Sequence, residues 1–348
     1  MGKKSNLGNQ LINQMANALT APAAHSPSAK TANPYAILLN PNWPEAKWDV
    51  SGAFIYDPML WRLHDYFAGN FHLRLLDSVH GAPACHWNGG RVLNNTMNRE
   101  ETEQALGAYA RRGIPVHLTF TNYNIDAKML ADRFGNDLLD QLDKHNPTGR
   151  NGVILSEEQL AAHVRARHPR LQRIASIVKI VKENGKGNPD YYRRLASAYD
   201  RVMIHPDDNF DLELLAKLED RDKYEILINE ACVRNCRRRQ LHYQCLSDRG
   251  GDMLDFDLEK KVSDVVKQND CHNLDDLLFS THRRTLILST SELKRIYDLG
   301  FRNFKIQGRG MGSPMAMMLE LHRRMFSNDR DADHLVLRVL ADFLPGVF

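Results

Sequence analysis

No run in this chain of 348 residues approaches the ~18 consecutive uncharged apolar residues of a membrane-spanning helix, so no membrane span is expected. The N-terminal stretch MGKKSNLGNQLINQMANALTAPAAHSPSAK lacks the continuous apolar core of a secretion signal, and a cytoplasmic location is the simplest expectation. Met1-Gly2 with nearby Ser5 partly matches an N-myristoylation pattern, a short motif that is common by chance. Charge of one sign is scarce too: a net +3 is too small to mark a nucleic-acid surface. There is no GxSxG elbow, no HExxH helix and no clear Cys/His pair with a third orienting group. Cysteine is rare, at five residues. An odd number excludes a fully paired secreted disulfide framework and points to metal or redox chemistry in a reducing compartment.

What is present can build a large core. Hydrophobic residues make up 43% of the chain and charged residues 26%, the balance of an ordinary globular protein. Residues 1–33, rich in Ala, Ser, Asn and Pro, read as a flexible tail. Residues 34–70 bring back aromatics, among them Trp43, Trp48, Phe54, Tyr56 and Trp61, and read as an extension that packs on the main domain.

From residue 71 a rhythm sets in. Apolar runs occur at FHLRLLDSV (71–79), PVHLTFTN (115–122), GVILS (152–156), RIASIVK (173–179), RVMIHP (201–206), YEILINE (224–230), TLILST (285–290) and FRNFKIQ (301–307). Helix-like stretches such as REETEQALGAYARRG and SELKRIYDLG lie between them. Ser289 or Ser291 ahead of Glu292 supplies a capping signal, and Gly113 and Gly300 supply C-terminal glycines. Eight alternating strand and helix candidates imply a parallel sheet, and the spacing predicts a (β/α)8 TIM-like barrel over residues 71–348 with an N-terminal extension. An open doubly wound sheet is the alternative. The barrel core is expected to contain Leu73, Leu75, Val116, Leu118, Val153, Ile177, Val202, Ile204, Ile226, Ile228, Leu286 and Ile306.

Parallel barrels carry their sites at the C-terminal ends of the strands. Polar residues gather there: His80, Arg91, Asn122, Lys179, His205, Asn229, Glu230 and Arg309. Arg91, Asn122, Lys179, Asn229 and Arg309 are expected to converge on a pocket for an anionic substrate, because Arg and Lys are natural partners of carboxylate and phosphate. A basic residue at a barrel rim can equally serve in a surface ion pair.

The cysteines are more specific. Cys232, Cys236 and Cys245 crowd together after the sixth run, with Cys271 beyond and Cys85 in the loop after the first. Thiolates at such spacing suit zinc or an iron–sulfur cluster, and Arg234, Arg237, Arg238 and Arg239 would offset the negative charge of such a centre. His242 and His272 could complete a zinc set. A zinc hydrolase built on His80, His86, His205 and Asp207 is a further alternative, and so is a non-catalytic scaffold or partner protein in which a metal holds the long connection in place.

The stretch ILINEACVRNCRRRQLHY (226–243) followed by GFRNFKIQGR (300–309) resembles the peptidase U32 family and its relatives, which include RNA and ubiquinone hydroxylation proteins. The likeness is specific over these two motifs. Cysteine spacing departs from the family's, glycines usual between the first two cysteines are absent, and Gln307 stands where glutamate is usual. The resemblance implies a TIM-barrel-like fold and a four-iron (4Fe–4S) cluster held by Cys232, Cys236, Cys245 and Cys271. It also implies oxygen-independent, hydroxylase-like redox chemistry on a small-molecule or RNA substrate, in place of proteolysis.

Overall fold

The structure is a computed structural model and describes residues 33–89, 97–248, 285–308 and 314–326. The chain divides into two units. One comprises residues 45–317, and the other joins residues 1–44 with residues 318–348.

The larger unit is a closed barrel of eight parallel strands. In chain order these are β1 (Lys47–Ser51), β2 (Ser78–Gly81), β3 (Val116–Phe120), β4 (Gly152–Leu155), β5 (Gln172–Ala175), β6 (Arg201–Met203), β7 (Tyr224–Leu227) and β10 (Asn303–Ile306). Each pairs with its neighbours, and β1 closes the ring against β10. Helices over Asp57–Phe71, Arg99–Arg111, Arg133–Lys144, Glu158–Arg167, Ile177–Asn184, Pro189–Ala198 and Thr290–Asp298 connect the strands. Strands buried on both faces need continuous apolar sequence; GVIL in β4 is buried at every position. The expected core residues are all buried, from Leu73 at 6% exposure to Leu286 at 0%.

The order of strands differs from the sequence expectation in two places. The barrel does not begin at residue 71. Its first strand is KWDVS, inside the aromatic-rich segment read as an extension. Within FHLRLLDSV, Leu73, Leu75 and Leu76 are buried in the connection after a helix, and the strand starts only at Ser78. Nor does TLILST enter the barrel. Its β9 (Thr285–Ile287) pairs antiparallel with β8 (Asn229–Val233), which continues directly from β7. A short apolar run suits either kind of strand, because period and composition do not record which partner it meets.

Within RIASIVK the strand stops at Ala175. The Ser176 hydroxyl accepts from the Lys179 backbone N–H and starts the helix Ile177–Asn184. Ser289 and Glu292 form the expected reciprocal capping box. Gly113 and Gly300 take φ of 64° and 103°, the left-handed region that glycine tolerates.

In the smaller unit, residue 39 bridges residue 326 antiparallel. The Asn40 N–H donates to the Met325 carbonyl at 2.9 Å and the Trp43 indole Nε1 to the Arg324 carbonyl at 2.6 Å.

Candidate active site at the barrel mouth

The barrel interior is not wholly apolar. Asp49 on β1, His80 on β2, His117 on β3, Arg201 on β6, Glu225 on β7 and Lys305 on β10 come together in it, and register brings them there. Asp49 stands opposite Lys305, and His80 opposite His117. Lys305 Nζ lies 2.5 Å from Asp49 Oδ2 and 3.6 Å from Glu225 Oε2. Arg201 Nη1 holds the other Glu225 oxygen at 3.1 Å. His80 Nδ1 meets Asp49 Oδ1 at 3.1 Å, and His117 Nδ1 lies 3.5 Å from Asp49 Oδ2.

Burial alone would raise the Asp49 carboxyl. The Lys305 ammonium and the contacts from His80 and His117 outweigh it and hold Asp49 well below the usual carboxylate range. His80 moves down from its ordinary value, because burial and the Lys305 charge outweigh the attraction of Asp49. The result is an ionised carboxylate accepting from a neutral imidazole. That contact places the ring proton on Nδ1 and leaves Nε2 as the basic nitrogen.

Above this floor lies a cavity of about 380 Å³ at the C-terminal ends of the strands. Its polar lining includes His80, Lys305, Thr119, Thr121, Gln307 and Glu230. Its apolar wall includes Phe54, Ile154, Ile177, Val178, Met203 and Tyr243. Tyr243 comes from the helix Arg239–Asp248, which is tied to the β3 loop: Tyr123 N–H donates to Ser247 Oγ at 2.7 Å, and Gln240 Nε2 to the Tyr123 hydroxyl at 2.8 Å. An apolar pocket with a few convergent polar groups is the usual form of a small-molecule site.

The residues expected to bind substrate are distributed otherwise. Arg91 and Arg309 lie outside the described residues. Lys179 is not in the cavity lining. It is on a helix, buried with its ammonium on Glu158 at 3.2 Å and Glu183 at 2.5 Å. Asn122 is a clamp: its amide donates to the His86 carbonyl at 2.6 Å and its Oδ1 accepts from Asn124 N–H at 2.8 Å. Asn229 exchanges hydrogen bonds with Gln307, including Gln307 N–H to Asn229 Oδ1 at 2.8 Å, and so positions a lining residue. None of these three is among the residues lining the cavity. The interior charges that do converge showed in the sequence only as scattered polar residues in short strands: KWDVS, VHLTF, YEIL and NFKI.

Of the cysteines, Cys271 lies outside the described residues. The Cys232 and Cys236 thiols are hydrogen-bonded to each other, and that contact, then burial, pushes Cys232 up from its ordinary value, against the pull of Arg239. Cys245 is half-buried and outside any disulfide. Cys85, elsewhere, is pushed up to about 12 by burial. Among the described residues no three His, Cys, Asp or Glu side chains are arranged to hold a metal ion. Cys232 and Cys236 would thus supply two ligands, and a cluster would need the rest from beyond the described residues. The zinc alternative fares the same way: His205 sits 3.7 Å from Asp207 with no third ligand described.

The fold and this mouth define a parallel (β/α)8-type barrel with a polar interior cluster beneath a small-molecule cavity. The sequence matches no protein-family model and no curated protein. Among solved structures, the chain is similar to one titled the structure of the U32 peptidase Mk0906. The TM-score is 0.47 at 11% identity, over 83% of this chain and 99% of that chain. Among the described residues no helix is long and apolar enough to cross a membrane.

Proposed function

We propose that the barrel mouth is the active site of an enzyme that transfers protons on a small molecule with an uncharged polar head and an apolar body. The observation that carries this reading is the Asp49–His80 pair at 3.1 Å, with His80 in the cavity wall. Asp49 orients the ring and favours the imidazolium that forms when Nε2 takes a proton. Lys305, at the same floor, faces negative charge developing on the substrate. The charges already present balance, Asp49 and Glu225 against Lys305 and Arg201, which favours an uncharged head over the anionic one expected from the rim residues.

The test is a panel of esters, lactones and carbonyl compounds assayed with the full chain. Turnover of at least one class should fall by about 10²-fold or more in His80→Gln, with the circular dichroism spectrum kept. Because His80 is held down, the acid limb of the rate profile should lie below the ordinary histidine value of about 6.5. No turnover of any class, or turnover indifferent to His80→Gln, overturns the reading.

A second reading rests on the Cys232–Cys236 thiol contact. In it these two, with Cys271 and further ligands from beyond the described residues, would hold a 4Fe–4S cluster or zinc, and a cluster would supply electrons for hydroxylase-like chemistry. Anaerobic purification with metal analysis separates the two. Iron that is present in the wild type and lost in the Cys232→Ser/Cys236→Ser double variant would favour the cluster. Metal content that is absent, or unaffected by the double variant, removes it.

A further inference from the structure

Two of the chain's thiols touch each other. Cys232 stands near the end of β8 and Cys236 in the turn that follows, and their thiols are in hydrogen-bond contact. Both are half-buried and outside any disulfide. The residues between and after them are clamped to the rest of the fold. Arg234 donates from Nε to the Thr285 carbonyl at 3.0 Å and pairs with Glu292 at 3.0 Å. Asn235 takes φ of 53°, a left-handed position that asparagine tolerates, and its N–H donates to Asp207 Oδ1 at 2.8 Å. Arg239 closes the turn by donating to the Val233 carbonyl at 2.9 Å. These contacts fix the backbone that carries both sulfurs. A disulfide requires side chains that face each other in this way.

Two facing thiols have a chemistry of their own that needs no metal, which is exchange with another disulfide. Position sets the order of reaction. Cys236 is flanked by Asn235 and Arg237, with Arg238 next, all three exposed, so an incoming molecule meets it first. Cys232 sits behind it on the strand, beside the buried Arg239. Arg237 and Arg238 place positive charge at the entry, and guanidinium groups favour a partner that carries carboxylates.

We propose that Cys232 and Cys236 form a dithiol–disulfide exchange site for anionic low-molecular-weight disulfides, with Cys236 as the attacking sulfur and Cys232 as the resolving one. In the first step Cys236, as thiolate, attacks one sulfur of the small disulfide and its S–S bond breaks. A mixed disulfide forms on Cys236 and one small thiolate leaves. Cys232, as thiolate, then attacks the Cys236 sulfur, the mixed S–S bond breaks and the second small thiolate leaves. The protein pair is oxidised by two electrons and the small disulfide is reduced by two. The two protons lost by the cysteines pass through solvent to the released thiolates. The same steps in reverse, driven by the small thiol, restore the pair. The site depends on neither reading of the mouth.

The experiment incubates the full chain with oxidised glutathione, which is anionic, and separately with cystamine, which is cationic. Acid-quenched samples are then mapped by peptide mass spectrometry. Oxidised glutathione should join Cys232 to Cys236, and reduced glutathione should reverse it. Cys232→Ser should stop at a mixed disulfide on Cys236, and Cys236→Ser should react at least about tenfold more slowly than the wild type. Cys245→Ser should behave as the wild type. Arg237→Gln/Arg238→Gln should narrow the preference for oxidised glutathione over cystamine. Absence of the Cys232–Cys236 disulfide, a Cys236→Ser rate equal to the wild type, loss of the reaction in Cys245→Ser, or a preference for cystamine overturns the proposal. Metal that copurifies on the pair and shields it from the oxidant also overturns it, and favours the cluster reading instead.

Discussion

Asp49 and Lys305 are 256 residues apart in the chain and 2.5 Å apart in the barrel, where β1 and β10 close the sheet. The pair is buried, so each charge depends on the other. Removing one partner strands the other in a low-dielectric interior, which typically costs about 3–5 kcal/mol. Lys305→Met and Asp49→Leu should each lower stability on that scale in urea unfolding. The double variant should lose less than the sum. A single-variant loss under about 1 kcal/mol would refute the view that this pair joins the seam.

His205 should make the fold acid-sensitive. Burial first, then Arg239 and Lys186, hold it down to about 3, against an unfolded value near 6.5. Between those values the unfolded chain binds the extra proton, so its contribution is fully present above about 6.5 and is lost as pH falls. The expected slope is about 1.4 kcal/mol per pH unit from this group. Asp49, also held down in the fold, acts in the same direction below about 4. Urea midpoints from pH 7 to pH 4 should therefore decline less steeply in His205→Gln than in the wild type; equal slopes would count against the assignment.

Cys85 should react slowly in the native protein. With its thiol pushed up to about 12 from 9.0, its thiolate fraction at pH 8 is about a thousandfold below that of an ordinary thiol. Timed iodoacetamide labelling with peptide mass spectrometry should find Cys85 alkylated far more slowly in the native than in the urea-unfolded chain. Equal rates would show that burial does not control it.

Gly135 should not accept a side chain. A Cβ there would come within 2.6 Å of the Trp87 ring, and Trp87 is fully buried with its Nε1 donating to the Met129 carbonyl at 2.7 Å. Gly135→Ala should destabilise by about 1–3 kcal/mol through overpacking, although alanine is the better helix former. A stabilised variant in thermal unfolding would show that the ring gives way.

Local pattern carried much of the fold. Runs such as GVIL and YEIL, set between helices with readable caps, are barrel strands because continuous apolar sequence has a stable place in a parallel sheet covered on both faces. The Ser289–Glu292 capping box was equally legible, since its partners lie three residues apart. The first strand was not. KWDVS has two charges in five residues and no strong apolar run, and its strand identity comes from closing the ring between β10 and β2. TLILST erred in the opposite direction: apolar enough for the barrel, it pairs instead with β8.

The candidate site divides along the same line. Polarity at strand ends pointed to the mouth, and His80 stood among the candidates there. Yet Asn122, Lys179 and Asn229 are occupied by partners from other loops and helices, which composition does not reveal. Asp49, Glu225 and Lys305 lie on three strands far apart in the chain, and nothing local marks them as one cluster. Sequence by itself determined the alternation of strands and helices and the polar residues at the strand ends. Only the tertiary structure decided that Asp49, Glu225, Lys305 and Arg201 meet and neutralise one another. Coulomb energy and hydrogen bonding depend on distances of a few ångströms across strands far apart in the chain, and register in a closed barrel is what sets those distances.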